Sequence, residues 1–250
     1  MLLSRRDFSA KLIGSAVTFS LLETLWSRDL FADPAKPTIQ KWVAELVEIA
    51  NDLKGQKLTD LQFQTKMEDL YKRVDLADLC KLVKLDEIET KKKIPDRGAG
   101  SFGFDLSKVE GLTAEVTFGS QIFACKKGHS IVPHGHANMC TGFIVLKGKW
   151  HGRHYDKLET AKDHYVIKPT IDRTFAPGEL STISDHKDNV HWFEATSDTA
   201  FIFNVHVIGY DKTIQGGSGR MYLDPAGEKL AGGLVKAPKM TSAECHKKYG

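Results

Sequence analysis

Gly128-His129-Ser130-Ile131-Val132-Pro133-His134-Gly135-His136, with Met139 behind it and Gly148 closing the next apolar run, is the stretch on which the fold turns. Side chains on a β-strand alternate between faces, so His134 and His136 on one strand point both imidazoles the same way. That spacing suits two ligands of one metal ion, although paired histidines also arise by accident on strand surfaces. The surroundings favour the metal. A third candidate, His191, heads another β run after Asn189-Val190.

Outward from this stretch the chain reads as short β-branched and aromatic runs, for example 115–125, 142–146 and 200–207, separated by Gly, Pro and Asp turns. Many short strands with no long helix between them predict an antiparallel sandwich or barrel. Upstream the period changes. Trp42, Leu46, Ile49 and Leu53 repeat with helical spacing, with Thr38 to cap the start and Gly55 to stop the run. Phe63, Met67, Leu70 and Val74 form a second stripe, and Leu76, Leu79, Leu82 and Val83 a third after the capping residue Asp75. These stripes are expected to be packing faces, and Lys91 to Lys93 a solvated helix end. Gly98, Gly100 and Gly103 read as a linker, and the Gly-, Lys- and Pro-rich end of the chain as loop wrapped around the β part. The expected organisation is a leader over 1–32, a helical segment over 38–94, a β domain over 104–215 and an extension over 216–250.

The 250 residues are 41% hydrophobic and 27% charged, as in an ordinary globular protein. With 35 basic and 32 acidic side chains the net charge is only +3, too small an excess to mark a nucleic-acid partner. Four cysteines are too few for a disulfide-dense scaffold. Sequence assigns no task to Cys80, Cys125 or Cys245, nor a pairing between them.

Ser4-Arg5-Arg6-Asp7-Phe8, followed by a weakly apolar stretch to Leu22, resembles a twin-arginine export signal. The alternative is an amphipathic N-terminal helix with incidental arginines. The resemblance implies the twin-arginine machinery as a partner and a periplasmic or otherwise exported location. Cleavage after Ala32 and retention of the segment as a membrane anchor both stay open, since Leu30 fits poorly as the small residue before a cleavage site. That export route carries folded proteins, which allows a metal to be loaded before competing metals are met.

The spacing of Gly128, the His-x-His pair and Gly148 resembles the first motif of the cupin superfamily. The stretch from Gly128 to Asp156 is more similar still to the thiol dioxygenases that oxidise cysteamine and N-terminal cysteine. Those enzymes share the pattern His134-Gly-His136-Ala-Asn-Met139 and a Tyr-Asp pair resembling Tyr155-Asp156. Asn189-Val190-His191 resembles their later motif, Ile208-Gly209-Tyr210 stands where they carry Pro-Pro-Tyr, and Gly219-Arg220 with Tyr222 resembles a further segment. The likeness spans roughly 110–225.

This resemblance implies a jelly-roll-like cupin barrel, mainly β, behind a small helical segment. It also implies one Fe(II) held by His134, His136 and His191, with a small thiol or N-terminal cysteine and O2 as substrates and a sulfinate as product. Imidazole equally suits zinc, copper and nickel, so other divalent metals fit the ligand type. The usual fourth cupin ligand, a Glu, falls at Thr141, which fits a three-histidine site. Asn204 stands where the family commonly has an acid. Tyr210 is expected to hydrogen-bond oxygen or thiolate, or else to be a rim aromatic, and His206 to be a partner behind the ligands or a spare ligand. Cys140 lies one residue before the position of the crosslinked cysteine of cysteine dioxygenases, hence on the opposite strand face, and is read as structural. His151, His154, His164 and His186 are expected at the surface or in turns. A cupin that only binds or senses a small molecule, or that runs another metal-dependent reaction, is the alternative reading.

Overall fold

The computed structural model describes residues 37–214 and 217–250, so the leader expected over 1–32 lies outside the described residues. Each helical stripe becomes a packing face, the first two buried and the third half-buried at Leu76 and Leu82. Helix α1 (Ile39–Lys54) buries Trp42, Leu46, Ile49 and Leu53. Thr38 caps its start, accepting from the Lys41 N–H at 3.4 Å, and the Gly55 N–H returns to the Asn51 carbonyl at 2.7 Å. Helix α2 (Asp60–Lys72) opens with a reciprocal capping box between Thr59 and Gln62 and buries Phe63, Met67 and Leu70. Two short helices follow, α3 (Leu76–Leu82), capped by Asp75, and α4 (Leu85–Lys91).

The strands are β1 (Gly100–Gly103), β2 (Gly119–Lys126), β3 (Ser130–Ala137), β4 (Met139–Lys147), β5 (Trp150–Thr160) and β6 (His164–Phe175). They continue as β7 (Leu180–Ile183), β8 (Val190–Ala195), β9 (Thr199–Ile208), β10 (Gly219–Leu223), β11 (Glu228–Lys229) and β12 (Val235–Met240). One sheet reads β1-β2-β9-β4-β7 and the other β10-β3-β8-β5-β6-β12-β11. Within them β2 pairs with β9, β3 with β8, β4 with β7 and β5 with β6, all antiparallel. That nesting is one long antiparallel ribbon, folded at the β5–β6 turn and rolled up so that its strands fall alternately into two sheets. It is the jelly roll, the architecture that cupins share, and β1 occupies the stretch that sequence reads as a linker.

Alternation along the strands sorts two cores. From the first sheet, Ile122, Ala124, Cys140, Ile144, Phe201, Phe203 and Val205 join the cluster of α1 and α2. The intervening Phe123, Cys125, Phe143, Val145 and Ile202 point inward, against Ile131, Trp150, Phe175 and Phe193 of the second sheet. The first sheet is therefore covered on both sides, which is why its strands read as nearly unbroken apolar runs. The helices also make polar contacts there: the Gln64 amide donates to Thr182 Oγ1 at 3.2 Å, and Thr182 donates to Glu68 at 2.8 Å.

The C-terminal extension is more ordered than the sequence reading expects. Strand β10 adds to the edge of β3, β12 to the edge of β6, and helix α5 (Ser242–Tyr249) closes the chain. Pairing with ready-made sheet edges overrides a composition poor in strand formers. A capping box between Thr241 and Glu244 starts α5.

Candidate metal centre

Strand β3 carries His134 and His136 inward, each 2% exposed. In the register of the second sheet His134 lies directly across from His191 on β8, and His191 across from His154 on β5. On the other side β10 sets Tyr222 opposite His134 and Arg220 opposite His136. Directly paired residues share a sheet face, so these side chains all come to the interior of the roll. One ligand nitrogen from each of His134, His136 and His191 lies within 4.8 Å of the other two.

The hydrogen bonds of these rings aim the nitrogens. His134 Nδ1 is 2.8 Å from the Val132 carbonyl and His191 Nδ1 is 3.2 Å from the Asn189 carbonyl. A carbonyl only accepts, so each Nδ1 carries the proton and each Nε2 presents its lone pair. The Nε2 atoms of His136 and His191 are buried and have no partner among the described residues. Buried polar atoms are costly when left unpaired, and a divalent cation between them would supply the missing partner. Burial lowers the His134 pKa to about 3, helped by the charge of Arg220. Burial, then the neighbouring imidazoles, drives His136 and His191 well below the usual value. The rings are thus neutral, the form that binds metal. The buried three-histidine group fits a divalent metal.

Asn189 locks the geometry from behind. Its Nδ2 donates to the carbonyls of His136 and Ser184, both at 3.0 Å, and its Oδ1 accepts the His136 N–H at 3.3 Å. Gly135 makes room for this: a Cβ there would stand 2.6 Å from Asn189 Oδ1.

In front of the histidines is a cavity of about 140 Å³ lined by Phe123, Thr141, Phe143, Asn204, His206 and Arg220 among others, with no acidic residue among the described residues of its wall. Thr141, at the position of the missing carboxylate ligand, is in that wall, 3.5 Å from His136 Nδ1. Cys140 is on the helix side, where burial pushes its thiol pKa up. Asn204 is 3% exposed and faces the cavity; its Nδ2 is 3.4 Å from His206 Nδ1, and its Oδ1 has no partner among the described residues. His206 lines the cavity too, with a pKa lowered by burial and by Arg220.

Tyr210, expected either to hydrogen-bond oxygen or thiolate or to be a rim aromatic, is outside the cavity wall. It packs in the helix-side core and donates to Asp185 Oδ2 at 3.1 Å. The cause is Gly209, where φ of +63° breaks the strand alternation and turns the next side chain away. His154, expected at the surface, is fully buried beside His191, 3.3 Å from Ser181 Oγ, and burial lowers its pKa to about 3. Period two along Trp150, Gly152 and His154 was the signal that places it inside. His164 and His186 do sit toward the surface, on Asp163 at 2.8 Å and Asp60 at 2.7 Å, and His151 on Asp172. Gln121 and Arg220 are polar cavity residues to which the sequence reading gave no role. All four cysteines are free.

No family model matches the sequence, and no curated protein matches it. Among solved structures the chain is similar to a recombinant oxalate oxidase in complex with glycolate, at 15% identity and a TM-score of 0.36, over 51% of this chain and 56% of that one. It is also similar to procruciferin, an 11S globulin from Brassica napus, at 11% identity and a TM-score of 0.37, over 56% of this chain and 30% of that one. A third is the TT1209 protein from Thermus thermophilus, at 12% identity and a TM-score of 0.34, over 48% of this chain and 92% of that one. The chain spans about half the length of the oxalate oxidase and less than a third of the globulin. The fold assignment rests on the strand order and not on these likenesses. Strand order and side-chain geometry together describe a cupin-type jelly roll whose interior carries a three-histidine group fit for a divalent metal.

Proposed function

We propose that this protein is an exported, iron-dependent thiol dioxygenase that converts a small thiol or an N-terminal cysteine to the sulfinate. The observation that supports the reading is three neutral, converging imidazoles in a cavity with no carboxylate among the described residues of its wall. Bound Fe(II) would keep its full positive charge and open positions, attracting a thiolate and dioxygen so that both oxygen atoms end on sulfur. The overall change, RSH + O2 giving RSO2H, balances without an external reductant.

The chain's own residues set the conditions for that reaction. Phe123, Phe143 and Ile131 wall the cavity with apolar surface and exclude water. Asn189 fixes the His136 backbone, and the carbonyls of Val132 and Asn189 hold the His134 and His191 rings. Asn204 Oδ1 is a fixed acceptor for a substrate N–H or O–H, and His206, neutral at pH 7, can exchange a proton with a group in the cavity. Neither has the charge of an acid. That favours the second reading, a metal-binding cupin that senses a small molecule or catalyses a different reaction.

The test is to load the protein anaerobically with Fe(II), offer cysteamine and Cys-initiated peptides, and follow oxygen uptake and product mass. A gain of two oxygens per thiol supports the dioxygenase. Bound iron with no such product leaves the sensing or alternative-enzyme reading. Metal analysis after native export checks the iron, and replacing Arg5-Arg6 by Lys-Lys should trap the protein in the cytoplasm if the leader acts as proposed.

A further inference from the structure

The cavity before the histidines adjoins a second, outer one of about 180 Å³, and Gln121, Phe123 and His134 belong to both walls. A candidate ligand thus borders both spaces, so a chain of two carbons on a metal-bound atom passes from one into the other. Helix α5 supplies the far wall, and it lies beyond the stretch that resembles the thiol dioxygenases. It is firmly clamped. Cys245 Sγ is buried 3.3 Å from the Pro133 carbonyl, the Tyr249 ring is 4.9 Å from that of Trp192, and Lys248 pairs with Asp224 at 2.6 Å. Ser130 and Arg97 donate to the carbonyls of Tyr249 and Lys247. None of these ties uses His246, the one residue of α5 in the outer wall.

His246 Nδ1 is 2.8 Å from the Ser242 carbonyl. A carbonyl only accepts, so Nδ1 holds the proton and the neutral ring offers Nε2 as an acceptor at the mouth of the cavity. Across from it, on the first sheet, Gln121 is oriented in the same manner. Ser101 Oγ donates to Gln121 Oε1 at 2.5 Å, which leaves the amide Nε2 a donor without a partner among the described residues. The outer cavity therefore has a fixed donor on one wall and a fixed acceptor on the other. Among the described residues, neither cavity wall has an Asp or Glu to pair with an ammonium group. A secondary amide is the small uncharged group whose C=O and N–H point in opposite directions. We propose that the outer cavity is a subsite for a secondary amide, its C=O accepting from Gln121 Nε2 and its N–H donating to His246 Nε2. Within the thiol reading, on which this choice rests, the substrate is an N-acylated aminothiol, its nitrogen two carbons from the sulfur, and not a thiol with a free amine.

The test is binding at pH 8 to protein loaded with Co(II), read from the thiolate-to-cobalt absorption band. Three thiols of one length serve as probes: N-acetylcysteamine has both N–H and C=O, 2-mercaptoethyl acetate only the C=O, and 2-ethoxyethanethiol neither. The amide should bind about threefold to tenfold tighter than the ester, and the ester tighter than the ether by a similar factor. His246→Phe should bring the first ratio close to one and leave the second. Gln121→Leu should remove the second and leave the first. Equal affinities for the three thiols in the wild type overturn the proposal, and so do unchanged ratios in the two folded, cobalt-loaded variants. If none of the thiols ligates the cobalt, the thiol reading fails by itself. The amide subsite is then decided in Zn(II)-loaded protein from the His246 Cε1–H proton resonance, identified by its loss in His246→Phe. A shift with N-methylacetamide and none with methyl acetate supports the subsite; equal shifts, or no shift with either, remove it.

Discussion

The side chain of Asn189 brackets the peptide of His136, accepting its N–H at 3.3 Å and donating to its carbonyl at 3.0 Å. A ligand on one strand is thus held by a residue that precedes another ligand, His191, by two positions on the facing strand. Asn189→Ala should leave the jelly roll folded and weaken metal binding by about 10- to 100-fold, the usual cost of removing a group that orients a ligand. Competition against a calibrated chelator measures it. Gly135→Ala should act in the same direction, because its Cβ would press on Asn189 Oδ1 at 2.6 Å.

His191→Ala removes one of the three converging nitrogens and should abolish metal retention through gel filtration. His151→Ala, which alters a half-buried ring paired with Asp172 at the surface, should retain the wild-type metal content. Metal per chain by elemental analysis separates the two. Metal that stays with His191→Ala would remove that residue from the ligand set.

Fully buried His154 gives an acid-labile core. Its folded pKa of about 3 lies below the ordinary 6.5 of the unfolded chain, so between those values the unfolded state binds the extra proton. Stability from this group is complete above pH 6.5 and is lost as pH falls toward 3, with a slope of at most about 1.4 kcal/mol per pH unit. His154→Phe, similar in volume, should show a flatter stability curve over that range. Urea unfolding of metal-loaded protein at several pH values makes the comparison.

Gly119 lies across the ladder from His206, and a Cβ at that glycine would collide with His206 Nε2. Gly119→Ala should therefore displace the ring without changing the metal content. A shift of about 1 Å in a reacting group costs on the order of 100-fold in rate. Under the dioxygenase reading, oxygen uptake should fall by that order while bound iron stays the same.

What sequence could read was whatever depends on local periodicity. The period of two through His134 and His136, the helical stripes at Trp42 and Phe63, and the caps at Thr38 and Asp75 each describe a single element. The face of Cys140 followed from the same rule, since it is the immediate neighbour of Thr141. Partners set by strand pairing were out of reach. Arg220 matters because β10 lies beside β3, a pairing across more than eighty residues of chain that its own Gly-rich surroundings do not announce. Tyr210 leaves the cavity face at the positive φ of Gly209, and the inward face of His154 was readable only from the period of two that starts at Trp150.

The helices that cover the first sheet make the β part inseparable from what precedes it. Cut free of residues 38–94, the roll would bare Ile122, Ile144, Phe201, Phe203 and Val205, a contiguous apolar face on a sheet that now has water on neither side. A face of that kind promotes self-association. A truncated barrel should therefore collect in the insoluble fraction with its histidines intact. The helical segment and the roll share one core and form one packed unit.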